Sequence, residues 1–148
     1  MFWIQSAYKR LLPSPGRRYI IASGLLMIVQ LLITVIKYRI VTSAFLVRLS
    51  WYASYIPLLM IPTLFLLCCL SLTGRRSRLL LPDRVILIPA ILIVAAVLTN
   101  DFHHLAFYPA AEGMVVWSDN DPYLHGILFY LVYAWIGLTI TEIGRAHV

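Results

Sequence analysis

Histidine and carboxylate side chains are concentrated in one connector of this sequence, residues 100–121, and just beyond it. Imidazole and carboxylate groups are ordinary ligands of divalent cations, and imidazole changes its charge near neutral pH. Three chemistries fit these residue types: a divalent-cation site, a pH sensor, and an Asp–His pair in a hydrolase. The residues that would form the cation site are Asp101, His103 or His104, Asp119 and His125.

The spacing of these residues is diagnostic of none of the three chemistries. Adjacent histidines such as His103 and His104 do not easily face one metal ion, and a hydrolase needs a nucleophile or metal motif that the sequence does not show. We rank a structural role above all three chemistries, since Asn100 can end one helix while Asp121 caps the next. Trp117 can be an anchor at the membrane interface. On this basis we expect no catalytic residue, metal or cofactor.

The elements that position these residues follow from the composition of the chain. Its 148 residues are 61% hydrophobic and 12% charged, with a mean hydropathy of +0.87, whereas soluble domains carry roughly 25% charge. Spanning a bilayer takes roughly 20 apolar residues as a helix, and four uncharged runs approach this length. A soluble enzyme, a DNA-binding domain and a disordered chain are therefore excluded. We predict an all-α fold embedded in the lipid bilayer, a polytopic helical membrane bundle with four transmembrane helices at about residues 19–38, 51–72, 82–99 and 122–141.

Proline residues shape two of the predicted helices. Pro57 and Pro62 lie inside the second helix, where each removes an amide donor, so we predict a kink there and treat this pair as a candidate hinge. Asp121 and Pro122 predict the start of the fourth helix, as its N-cap and first helical residue. This start would place His125 in the first turn of the fourth helix.

Lysine and arginine counts predict the orientation. The segments 1–18 and 74–84 hold eight of these cations, and the other two connectors, 37–50 and 100–121, hold three. Cytoplasmic connectors carry the excess of Lys and Arg, so we predict a multi-pass protein of the cell membrane whose basic N-terminal segment, residues 1–18, is cytoplasmic. The formal net charge of +6 then reflects orientation in the bilayer, and we expect no nucleic-acid partner.

Several motifs follow one another in a recognisable order. Trp51 and Tyr52 precede the two prolines, a basic turn begins at Gly74, and the segment Thr99–Leu105 (TNDFHHL) closes the third apolar run. Trp117-Ser118-Asp119 then comes before an aromatic helix containing Trp135. Over roughly residues 51–140 this order resembles the seven-helix N-terminal membrane domain of bacterial sensor histidine kinases.

The resemblance implies a membrane sensor or anchor, residues 19–142, without a catalytic module of its own. It implies a cytoplasmic output module on the same chain, commonly a histidine kinase, and a connector 100–121 that lies outside the cytoplasm. A homodimer is a further candidate assembly. The candidate sensor-face residues are Asn100, Asp101, His103 and His104, with Trp117 and Asp119 opposite them and His125 nearby.

Two features depart from that family pattern. The sequence predicts four helices where the family has seven, and we expect the first helix of the family to be absent ahead of Tyr19. Residues 143–148 resemble the translation of a common sequencing adapter, so we expect a non-native tail and a natural reading frame interrupted near the fourth helix.

A small transporter or channel component is the main alternative function. Transporters place polar or ionisable groups near the middle of the membrane and often contain internal repeats. Here the charges lie at the ends of the apolar runs, and Gln30 is the main polar residue within one. We therefore rank transport below sensing, and a membrane-bound metal hydrolase below both.

Overall fold

A computed structural model describes residues 16–40, 43–72, 83–111 and 121–146. The described part is helical apart from one short two-stranded ribbon. Its elements are α1 (Arg17–Val35) with a π-helical turn (Ile36–Ile40), α2 (Ala44–Ala53), α3 (Tyr55–Leu72), α4 (Asp83–Leu98), α5 (Asn100–His103), β1 (Phe107–Pro109), β2 (Tyr123–His125) and α6 (Ile127–Ala146).

Within the described residues, three helical segments are long and apolar enough to cross a membrane. They are Arg17–Arg39, Ala44–Leu72 and Ile127–Arg145, with mean hydropathies of 2.4, 2.2 and 1.6. The third predicted span is also a helix, α4, but its 16 residues rise only about 24 Å, against a hydrocarbon core of about 30 Å. The structure therefore supports a helical membrane domain with three candidate spans and one shorter apolar helix.

Helix α3 lies at the centre of the bundle and packs against α1, α4 and α6. Leu64, Leu67 and Cys68 of α3 contact Tyr19 of α1 in one buried cluster. A second cluster joins α2, α3, α4, α6 and β1 at the other end of the bundle. The outward faces of α1, α4 and α6 instead expose many large aliphatic side chains, as expected for surfaces that meet lipid.

The helices are also joined by a buried polar contact in the middle of the bundle. The Trp135 indole N–H of α6 donates to the Thr63 hydroxyl of α3 over 3.0 Å, and this hydroxyl donates to the Leu59 carbonyl over 2.7 Å. Polar groups between membrane helices are paired in this way because hydrocarbon offers them no alternative partner.

The second predicted helix begins earlier than expected and has a break. Helix α2 starts at Ala44, and Ser54 separates it from α3. Pro57 lies in the first turn of α3 and has no N–H to donate to the Ala53 carbonyl. One backbone hydrogen bond of a continuous helix is therefore missing where the break occurs. The arginine at position 48 is consequently part of a helix and not of a loop.

The predicted start of the fourth helix was wrong. Helix α6 begins at Ile127, and the residues after Pro122 form β2, which pairs antiparallel with β1 in the register Phe107↔His125 and Pro109↔Tyr123. His125 therefore lies in a strand, not in a first helical turn. The ribbon forms because β1 supplies backbone partners for these residues, which outweighs the local capping preference of Asp121.

Candidate functional site

Four side chains form a polar cluster at the connector end of the bundle: Arg48, Tyr52, Asn100 and Asp101. The Arg48 guanidinium forms an ion pair with Asp101 Oδ1, and the Tyr52 hydroxyl donates to the same oxygen over 2.8 Å. Arg48 and Tyr52 are four residues apart and so share a face of α2, with the guanidinium 5.6 Å from the tyrosine ring centre. The cluster thereby ties α2 to the start of α5.

Asn100 is the buried centre of the polar cluster, with 1% of its surface exposed. Its amide oxygen accepts from the backbone N–H of Ala106 (2.7 Å) and of Phe107 (3.2 Å). Its amide nitrogen donates to the Phe107 carbonyl (2.9 Å) and to the Tyr52 hydroxyl (3.3 Å). All the polar atoms of this side chain are therefore engaged, and they fold the chain between α5 and β1 back onto α2.

An aromatic cluster holds the ribbon against the helices, with Phe107 at its centre. Phe107 is 2% exposed, and its ring lies 4.7 Å from Trp51, 5.6 Å from Tyr55 and 5.4 Å from Tyr123, measured between ring centres. Aromatic pairs at such separations add stability beyond the area that they bury. Phe107 thus packs the ribbon onto α2 and α3.

The histidines of the connector have separate roles in the structure. His103 accepts the Leu105 N–H at Nδ1 (3.0 Å), which leaves Nε2 to donate to the Ala96 carbonyl (3.0 Å) at the end of α4. His104 has a left-handed backbone (φ 52°) and an exposed side chain, and the ring of His125 lies 3.9 Å from that of Phe129.

The described residues do not assemble the cation site that the sequence left open as an alternative. They contain no group of three His, Cys, Asp or Glu side chains that could hold a metal ion. Both ring nitrogens of His103 are engaged by the backbone, and Asp101 is engaged by α2. Asp119 lies outside the described residues.

The predicted sensor-face residues are thus brought together only in part. Asn100 and Asp101 join one cluster, whereas Trp117 and Asp119 lie outside the described residues. Of the hinge pair, Pro57 is buried in the first turn of α3 and Pro62 lies within the same helix.

Sequence reasoning missed Arg48 and Tyr52 as site residues. The signal that could have identified them is their spacing of four residues on one helix face, together with the absence of any other charge between Arg39 and Arg75.

Comparisons with known proteins agree with this architecture. The sequence profile of a family described as the N-terminal 7TM region of histidine kinase matches residues 1–144. Neither curated proteins nor solved structures gave a significant match. The family match covers nearly the whole chain and agrees with the apolar helices seen in the structure. This chain belongs to the family of N-terminal seven-transmembrane regions of histidine kinases.

Proposed function

We propose that this chain is the sensor region of a signal-transduction protein of the cell membrane and passes a signal to a cytoplasmic output module on the same chain. The family match over residues 1–144 carries this proposal. The excess of Lys and Arg in the segments 1–18 and 74–84 supports a cytoplasmic N-terminus and a connector 100–121 outside the cytoplasm.

The polar cluster is the part of the sensor that would respond to the signal. Asp101 is half-exposed, with 48% of its side chain accessible, while its partner Arg48 is 18% exposed. A stimulus that competes for Asp101 would release α2, which leads through the break at Ser54 into the central helix α3. Such a stimulus acts only if it has different affinities for the paired and released arrangements. Pro57 and Pro62 are the proposed hinge along this path.

Breaking the Arg48–Asp101 pair is expected to change output without preventing membrane insertion. In the full-length protein, Arg48→Gln or Asp101→Asn should shift the basal rate of autophosphorylation by up to about fivefold, because a half-exposed ion pair contributes at most about 1 kcal/mol. The exchange of both charges, Arg48→Asp with Asp101→Arg, should restore the basal rate. Incorporation of radioactive phosphate in proteoliposomes measures this effect.

Arg39→Gln is the matched control, since it removes an exposed cation from the same part of the chain. Autophosphorylation that stays the same in both single variants, over a range of stimuli, would remove the polar cluster from the mechanism. A complete gene that continued into further membrane spans without an output module would contradict the sensor function itself and favour the transporter or channel.

Labelling from outside intact cells tests the proposed orientation. With Cys68 and Cys69 replaced by alanine, a membrane-impermeant maleimide should modify Phe102→Cys and leave Ser77→Cys unmodified. Phe102 is 89% exposed in the structure, and Ser77 lies outside the described residues. Permeabilised cells, in which Ser77→Cys should also react, provide the control. If only Ser77→Cys were labelled in intact cells, the topology would be the reverse of the proposed one.

A further inference from the structure

A cavity of about 340 Å³ opens between α1, α2, α3, β2 and α6, near the ribbon. Its walls are mainly aromatic and include Trp51, Tyr55, Tyr123, Phe129 and Tyr133. Small-molecule sites have volumes of roughly 300–1,000 Å³, with apolar walls and a few polar groups that fix the orientation of the ligand. The four residues of the polar cluster do not line this cavity, which makes it a separate feature of the molecule.

Gln30 of α1 supplies an unpaired polar atom at this cavity. Its Oε1 atom is buried and has no hydrogen-bond partner among the described residues. The nearby Thr34 hydroxyl donates its proton to the Gln30 backbone carbonyl over 2.9 Å and so does not satisfy the side-chain oxygen. Because buried acceptors are normally paired, a donor supplied by a bound molecule would account for this atom.

Positive charge lines the cavity two helical turns further along α1. Lys37 follows Gln30 by seven residues, so the two residues share a face and lie about 10 Å apart along the helix axis. The Lys37 ammonium lies 3.3 Å from the Tyr38 hydroxyl, and His125 lines the same cavity. The Lys37 ammonium is the group at this cavity with which the acid of a ligand can pair.

We propose that this cavity binds a flat organic anion that carries a hydrogen-bond donor at the end opposite its acid group. The aromatic walls enclose the flat body of the ligand, Gln30 Oε1 accepts from its donor, and Lys37 pairs with its acid. We further propose that the bound molecule acts as a stimulus. This role rests on the signalling function proposed above, whereas binding itself does not depend on it.

Calorimetric titration of the purified full-length protein in lipid nanodiscs tests this site. The probe is 4-hydroxycinnamate, a planar molecule with a phenol at one end and a carboxylate at the other. We expect saturable binding of one molecule per chain. Gln30→Leu should weaken this binding about fivefold by removing a neutral hydrogen bond, and Lys37→Met about tenfold by removing a charged partner.

Matched ligands and a matched variant distinguish the contact of the ligand with Gln30 from its contact with Lys37. Cinnamate, which lacks the phenol, should bind wild type and Gln30→Leu equally. The methyl ester of 4-hydroxycinnamate should bind wild type and Lys37→Met equally. Arg39→Met removes a cation from the same π-helical turn, but Arg39 does not line the cavity, so this variant should bind the probe like wild type.

Absence of saturable binding to the folded wild-type protein would overturn the proposal, and so would binding that neither substitution weakens. The proposal would also be overturned if a phospholipid copurified with wild type but not with Gln30→Leu, and if the probe did not displace this lipid. That result would identify an acyl chain as the occupant of the cavity. If the probe binds as expected but leaves autophosphorylation unchanged, the binding site is confirmed and the role of the bound molecule as a stimulus is contradicted.

Discussion

Replacing Asn100 with alanine is expected to lower the free energy of unfolding by about 2–4 kcal/mol, since buried polar groups left unpaired cost roughly 1–3 kcal/mol each. The substitution removes the acceptor for the Ala106 and Phe107 N–H groups and the donor for the Phe107 carbonyl. Ala106 is fully buried and Phe107 is 2% exposed, so water does not readily replace these bonds. Titration with SDS in mixed micelles, followed by tryptophan fluorescence, measures the loss.

Two further variants show whether the hydrogen bonds of Asn100 are responsible. Asn100→Asp keeps the acceptor oxygen but replaces the donor to the Phe107 carbonyl with a second oxygen, so it buries a carboxylate against a carbonyl and should destabilise the protein at least as much as the alanine variant. Phe102→Ala truncates a neighbouring side chain that is 89% exposed and should leave the free energy of unfolding nearly unchanged. Equal stability of Asn100→Ala and wild type would show that the amide does not hold the connector in place.

Substitution of Gly126 by alanine is expected to displace the ribbon from the start of α6 and to destabilise the protein by about 2–4 kcal/mol. A Cβ atom at this position would lie 2.0 Å from the Leu105 carbonyl oxygen and 2.6 Å from its carbon, both of them backbone atoms. Relieving this clash breaks the bond from Gly126 N–H to the Ala106 carbonyl (2.9 Å) and strains that from Leu128 N–H to Leu105 (3.0 Å). The same SDS titration measures this effect.

Gly137→Ala is the matched control for Gly126→Ala. Gly137 lies within α6, and a Cβ atom there would meet nothing within 4 Å. Alanine is favoured over glycine by about 1 kcal/mol in a helix interior, so this variant should equal or exceed wild type in stability. Similar destabilisation of α6 by both substitutions would show that the contact with Leu105 is not the cause.

Asn100 and Gly126 hold the connector at its two ends. Asn100 fixes the chain that leaves α4 and α5, and Gly126 allows the returning chain to pass within hydrogen-bond distance of the same loop before α6 begins. These hydrogen bonds fix the shape of the described segment 100–107, on which the polar cluster is built. The proposed mechanism requires a rigid connector. A displacement at Asp101 moves α2 only if the rest of the loop does not move in its place.

Much of the bundle could be predicted because the length of an apolar run is a local property. Runs of uncharged residues identified the positions of α1, α3, α4 and α6, and the motif order identified the family. The ends of α1 and α4 agree with the predictions to within about three residues, a normal uncertainty for helix ends. Membrane helices satisfy their own backbone hydrogen bonds, so composition over roughly 20 residues is sufficient to predict them.

The connector could not be predicted in the same way because its contacts join distant residues. Asp101 meets Arg48 across 53 residues, and the Asn100 amide meets Tyr52 across 48. Asp121 and Pro122 form a good local signal for a helix start, yet pairing with β1 draws the following residues into a strand. Whether Asn100 is a helix terminator on the surface or a buried structural centre depends on which helices pack beside it. Packing of the whole bundle sets these partners, and a local pattern of residue types carries no information about them.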